Sequence, residues 1–203
     1  MKIPFEIKQR ILWAMALLIS LSVLAQEPKL KSAFNGKNLK GWTIPENNIW
    51  WSVENATLIA KSDPQKKGSI LWTEKEYTDF IIEIDFRFES GTVDSGIFIR
   101  NDKQQIQIGI SGSLKRDMTA SPYIAGKGYP IEAQHIKEIL KPEDWNTMKV
   151  LANAGYYEVW LNNIHVMSYT SDNYIEKGPI GLQLHPNNEM TIRFRNIKIA
   201  GLE

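Results

Sequence analysis

The chain has 203 residues, with 43% hydrophobic and 23% charged side chains, enough for one sizeable domain and too few for two comfortable ones. A net charge of +1 gives no electrostatic footprint for nucleic acid or an acidic membrane, so neither is expected as a partner. The absence of cysteine excludes disulfides, thiolate catalysis, thiolate metal sites and a lipidated N-terminal cysteine together.

Residues 1–25 read as a cleaved signal peptide. Lys2, Lys8 and Arg10 form a basic head, Ile11 to Leu24 is an apolar run, and Val23-Leu24-Ala25 offers modest side chains for cleavage after Ala25. The run is short for a spanning helix and the next residues are polar, so no membrane attachment is expected after cleavage. Removal takes three basic residues and one acidic residue, which shifts the net charge from +1 to −1. A secreted or periplasmic domain of residues 26–203 is expected.

From Phe34 onward the hydrophobic period is two. Strands are expected at Trp51 to Ala60 and Gly68 to Thr73. In Phe80 to Phe88 the even positions are apolar, while Glu83, Asp85 and Arg87 occupy odd ones. Ile97 and Ile99 read as core in the next strand, with Gly96 and Arg100 on the other side. Ile106, Ile108 and Ile110 alternate with Gln105 and Gln107. The long segment Gly112 to Pro130 breaks the rhythm. Its charged and aromatic residues, including Lys115, Asp117, Tyr123 and Lys127, suit a loop that faces substrate.

One helix is expected within Ile131 to Leu140, stopped by Lys141-Pro142. Strands follow at Asn146 to Leu151, Tyr156 to Leu161 and His165 to Tyr169, with a hairpin turn at Asn162-Asn163. Ile180, Leu182 and Leu184 alternate with Gly181, Gln183 and His185, and Thr191 to Ile199 forms the last strand. Short alternating strands throughout mean antiparallel sheets, each with one buried face. The fold class is all-β.

The non-core rows of three strands carry Arg100, Gln105, Gln107, Gln183 and His185. A merely solvated face would hold more Lys, Glu, Thr and Ser; planar amides, a guanidinium and an imidazole suit paired contacts with vicinal sugar hydroxyls. Trp50 and Trp51 are adjacent, so one of them must lie outside the core. No pattern of zinc or EF-hand ligands occurs; no cofactor is predicted, and the sequence gives no indication of a structural calcium. Glu83, Asp85 and Glu89 form an E-x-D-x-x-x-E string that resembles the catalytic strand of the laminarinase and lichenase glucanases.

Several blocks in order resemble the bacterial 3-keto-disaccharide hydrolase domain family. Among them are N-G-K-N-L-K-G-W (Asn35 to Trp42), D-S-G-I-F-I-R (Asp94 to Arg100), G-P-I-G-L-Q-L-H (Gly178 to His185) and F-R-N-I-K-I (Phe194 to Ile199). The resemblance implies a concanavalin A-like jelly-roll β-sandwich of two antiparallel sheets with one short helix. It also implies cleavage of an oligosaccharide or glycoside whose sugar is a 3-keto sugar, by base-assisted elimination and hydration. A ketone at C3 acidifies the hydrogen on C2, and a general base that removes it contributes about 10²–10⁴ in rate. By matching position His185 is the candidate base and Arg100 the candidate stabiliser of the enolate. Arg87, Gln107 and Gln183 would hold the ring, with Gln105, Asp94 and the loop residues lining the site. Gln105 stands where many members carry glutamate, which leaves Asp94 or Asp117 to supply a carboxylate. The alternative is a non-catalytic, lectin-like carbohydrate-binding module.

Overall fold

The structure, a computed structural model, describes residues 28–202; the expected signal peptide lies outside the described residues. In chain order the strands are β1 (Lys31–Ser32), β2 (Trp42–Thr43), β3 (Trp51–Glu54), β4 (Thr57–Lys61), β5 (Ser69–Tyr77), β6 (Asp79–Gly91), β7 (Asp94–Ile99), β8 (Gln104–Gly109) and β9 (Pro122–Ile124). After the four-residue helix α1 (Ile136–Ile139) come β10 (Asn146–Asn153), β11 (Tyr156–Leu161), β12 (Ile164–Thr170), β13 (Gly178–Leu184) and β14 (Met190–Leu202).

All pairings are antiparallel. One sheet runs β12-β11-β10-β6-β14-β4-β3, with β1 added to β14; the other runs β2-β5-β13-β7-β8-β9. The expected two-sheet sandwich is therefore what the chain forms. Its core lies between the inward rows. Phe80, Ile82, Ile84 and Phe86 of β6 are fully buried, and they face a layer that includes Ile97, Ile106, Ile108, Ile180 and Leu182. Each such side chain contributes roughly 1.5–3 kcal/mol on burial.

Local expectations fare unevenly. Asn162 and Asn163 take φ of 50° and 68°, the left-handed pair that a tight hairpin between β11 and β12 requires. The single strand expected over Trp51 to Ala60 is instead a hairpin, turned at Asn55 and Ala56 with φ of 49° and 57°. The helix is shorter than expected. His135 sits before it at φ 61° and provides no side-chain cap, so the turn begins only at Ile136. Among the described residues no helix is long and apolar enough to cross a membrane.

In an open sandwich one face of each sheet would meet water. Here β7 and β8 are buried on both faces along their whole lengths. The segment after β8 turns back alongside it as β9, and its Ser111, Gly112, Tyr123 and Tyr129 lie near Asp94, Phe98, Gln105 and Gln107 of β7 and β8.

Candidate functional site

The outer face of the β2-β5-β13-β7-β8-β9 sheet carries a polar hollow of about 330 Å³. Ligand pockets usually start near about 300 Å³. Register explains its lining. Phe98 pairs with Gln105 and Gly96 with Gln107, so two glutamines of β8 stand beside the outward row of β7. Asp94 begins β7, and His185 lies just past the end of β13 with its backbone N–H donated to the Asp94 carbonyl at 3.3 Å. Gln183 is two residues before His185 and shares its side of the strand.

A hydrogen-bonded chain runs through this hollow. Gln105 donates its amide nitrogen to Gln107 Oε1 at 3.1 Å, and Gln107 donates its own to Asp94 Oδ1 at 2.8 Å. A carboxylate only accepts, which fixes the direction: Gln107 must present nitrogen to Asp94, and so oxygen to Gln105. The free end of the chain is Gln105 Oε1, buried and without a partner among the described residues; Gln183 Oε1 is in the same condition. Buried unpartnered acceptors are costly unless a ligand or water satisfies them.

Asp94 is itself only 2% exposed. Its second oxygen accepts from Asn188 Nδ2 at 3.4 Å and lies 3.6 Å from His185 Nδ1. His185 Nδ1 is also 2.7 Å from the Pro186 carbonyl oxygen. That oxygen can only accept, so the proton sits on Nδ1 and the neutral imidazole keeps its lone pair on Nε2. The ring is half-buried. A base with a fixed tautomer, backed by a carboxylate that would balance its positive form, is what proton abstraction needs.

The roof supplies hydroxyls. Tyr123 and Tyr129 meet edge to face with centroids 5.3 Å apart, and both line the hollow with Ser111 and Ser113. Burial pushes the Tyr129 phenol up to about 12, opposed by a hydrogen bond with Ser111 and assisted by the nearby Asp94 charge. It stays protonated across the physiological range and acts as a donor.

Glycines make room for these groups. A Cβ on Gly96 would lie 2.6 Å from Gln105 Oε1, and one on Gly112 would lie 2.9 Å from Asp94 Oδ2.

A family model of the 3-keto-alpha-glucoside-1,2-lyase-like domain matches residues 29–200. The chain belongs to that family. A candidate glycosyl hydrolase from Parabacteroides distasonis is similar in structure, at 26% identity and a TM-score of 0.64, over 86% of this chain and 100% of that one. A second from the same organism is 21% identical at TM-score 0.65, over 86% and 94% of the two chains. The carbohydrate binding module CBM66 from Bacillus subtilis is 17% identical at TM-score 0.55, over 81% and 98%. A search of curated proteins gives no match. The fold of this lyase-like domain is the sandwich of two antiparallel sheets that the sequence resemblance implied.

Six residues singled out from the sequence meet in the hollow: Asp94, Gln105, Gln107, Tyr123, Gln183 and His185. The others do not. Arg100 is a correction. Its φ of 64° turns it off the sheet at the end of β7, and its side chain is 1% exposed. The guanidinium donates to the carbonyls of Thr78, Ala154 and Ala152 and pairs with Asp79 at 3.2 Å. Burial lowers its pKa, opposed by Tyr157, Asp79 and Tyr174, and all three of its nitrogens donate to protein oxygens. Arg87 is a second correction: it lies on β6, in the opposite sheet, against Trp145 and Glu89.

Of the loop residues, Lys127 pairs with Asp172 at 2.5 Å, and Lys115 is exposed. Asp117 accepts from the Thr119 N–H at 2.7 Å and lines a separate hollow beside Arg116. The glucanase-like string is a charge-paired row. Glu83, Asp85 and Glu89 meet Lys198, Arg195 and Arg193 on the far sheet.

Sequence reasoning missed Ser111, Gly112 and Asn188, and placed Tyr129 in the substrate-facing loop without singling it out as a site residue. Tyr129 shared the loop's composition, but nothing in its spacing distinguished it from Lys115 or Lys127. Among the described residues no group of three or more His, Asp or Glu side chains is placed to hold a metal ion.

Proposed function

We propose that this domain is an exported enzyme that cleaves 3-keto-α-glucosides by elimination followed by hydration. The carrying observation is His185, tautomer-fixed by the Pro186 carbonyl and backed by buried Asp94, at the edge of a hollow lined with sugar-reading amides. The family match supports the substrate class, and the basic-then-apolar N-terminus supports export.

In this reading His185 Nε2 takes the proton from C2 of the oxidised ring. The electron pair delocalises into the C3 carbonyl as an enolate, and the Tyr129 hydroxyl, held protonated by burial, donates a hydrogen bond to it. The pair then returns to form the C1–C2 double bond as the C1–oxygen bond breaks. Water protonates the departing oxygen, the remaining hydroxide adds at C1, and the imidazolium returns its proton to C2. One water is consumed, and Asp94 balances the transient positive charge on the ring. Tyr129 takes the part assigned from the sequence to Arg100.

A binding module is the second reading, favoured by the two unpartnered amide oxygens, which suit hydroxyl recognition without chemistry. Incubation with a 3-keto-α-glucoside separates them. The enzyme releases the aglycone, and His185→Ala abolishes release while leaving the domain folded. Tight binding with no release by the wild-type chain would establish the module instead.

A further inference from the structure

Beside the polar hollow lies a second one of about 500 Å³, and Gln183 lines both. Trp72 lines this second hollow and Phe98 the polar one, and the way the two meet is specific. Gly181 of β13 pairs with Trp72 of β5 on one side and Phe98 of β7 on the other. With no side chain between them, the indole leans over Gly181 and meets the Phe98 ring, centroids 5.6 Å apart and planes 29° apart. A Cβ on Gly181 would lie 2.6 Å from both Cε3 and Cζ3 of Trp72. Real Cβ contacts do not approach so closely, so the platform depends on this glycine.

Gln183 Oε1 apart, most of the rest of the wall is apolar or already hydrogen-bonded. Ile70, Pro45 and Pro186 contribute carbon, and Trp50 gives its Nε1–H to Asp63 at 3.1 Å. Ser69 Oγ already accepts from Trp51 Nε1 at 2.9 Å. Glu46 and Lys67 are left at the rim. A second sugar would bring a ring of hydroxyls to a wall with few free groups to read them. An aromatic ring needs only area and a flat partner.

We infer that Trp72, held against Phe98 across Gly181, forms the leaving-group subsite in the second hollow, and that it selects glycosides with an aromatic aglycone. This rests on the lyase reading of the polar hollow, with Gln183 at the junction where the scissile bond would lie. Gly181 and Trp72 are specificity-determining residues, with no part in proton transfer.

Two measurements test it separately from that reading. In calorimetric titrations of the purified chain, phenyl α-glucoside binds roughly tenfold tighter than methyl α-glucoside or a glucose disaccharide, and Trp72→Ala removes the difference. None of the three ligands is oxidised, so this arm is independent of catalysis. In turnover, the ratio of kcat/KM for phenyl over methyl 3-keto-α-glucoside falls about tenfold in Trp72→Ala and in Gly181→Ala, and is retained in Trp72→Phe. Taking the ratio within each variant cancels partial unfolding and the better departure of phenol. Equal binding of the phenyl and methyl glycosides overturns the inference, as does tighter binding of the disaccharide or a ratio unchanged by Trp72→Ala. Trp72-dependent phenyl preference without any release sustains the subsite and overturns the enzyme.

Discussion

Gln107 donates its amide nitrogen to Asp94 across 2.8 Å, and that bond sets the polarity of the whole site. Because the carboxylate is acceptor-only, the amide of Gln107 cannot flip, and the acceptor at the far end of the chain is fixed as Gln105 Oε1. The same carboxylate faces His185. One buried charge therefore orients both the groups that would read hydroxyls and the group that would take a proton.

Removing the base and removing its counter-charge should then have different signatures. His185→Ala is expected to lower release of aglycone from a 3-keto-α-glucoside by about 10²–10⁴. The ring is 34% exposed, so the melting temperature should move little. Asp94→Asn keeps the shape but loses the charge and frees Gln107 to flip. It should lower kcat at least about tenfold and also weaken substrate binding, since both the base and the amide chain lose their orientation. Steady-state kinetics on the two variants checks this, and equal effects on kcat alone would argue against a shared carboxylate.

Arg100 is predicted to matter for folding and not for chemistry. Its guanidinium ties the start of β6 to the end of β10 through the carbonyls of Thr78, Ala152 and Ala154. Arg100→Ala takes its donors from those carbonyls and leaves Asp79 only the Ala154 N–H, at a cost of about 3–5 kcal/mol. Urea denaturation should show that loss, while the fraction still folded turns over at the wild-type rate. A variant of normal stability with lost activity would return Arg100 to the site.

These outcomes mark how far the sequence could be read. Period two survives wherever one face of a strand meets the apolar core and the other carries polar groups, so β6, β7, β8 and β13 and the outward placement of Gln105, Gln107, Gln183 and His185 were all legible. Parity fails where the backbone leaves the extended region. Ile97 and Ile99 are inward as read, but Arg100 takes positive φ one residue later, which an alternation count cannot detect. Parity also cannot say which of two sheets a strand joins; hence Arg87 had the right facing and the wrong sheet. The loop's Tyr129 was hidden for a third reason, since its place depends on how the segment after β8 turns back alongside it.

Buried tyrosines give a pH prediction. Tyr157 is 1% exposed, its hydroxyl donates to Gln104 Oε1 at 2.6 Å, and burial pushes its pKa up to about 12. Between about 10 and about 12 the unfolded chain releases a proton that the folded chain retains, so stability falls as pH rises through that window and is intact below it. Tyr129 adds a loss in the same direction. Tyrosinate absorbance of the folded chain should therefore rise late for these two, and Tyr157→Phe should flatten the alkaline loss while lowering stability at neutral pH by about 1–3 kcal/mol.

Gly96 offers the sharpest test of the amide chain, because it is altered there without touching any of its polar groups. A Cβ at this position would meet Gln105 Oε1 at 2.6 Å, the Gln105 Cδ at 2.9 Å and the Ile106 carbonyl at 3.0 Å. The first two belong to a side chain that can swing; the third belongs to the backbone of β8 and yields little. Gly96→Ala should thus cost about 1–3 kcal/mol and drive the Gln105 amide away from Gln107. With Gln105 displaced, the acceptor it offers a sugar is lost while Asp94 and His185 keep their geometry. The expected result is a raised KM with kcat nearly preserved. Serine, whose Cβ meets the same atoms, should behave alike. If either variant binds glycoside as the wild type does, Gln105 Oε1 is not a ligand for the sugar.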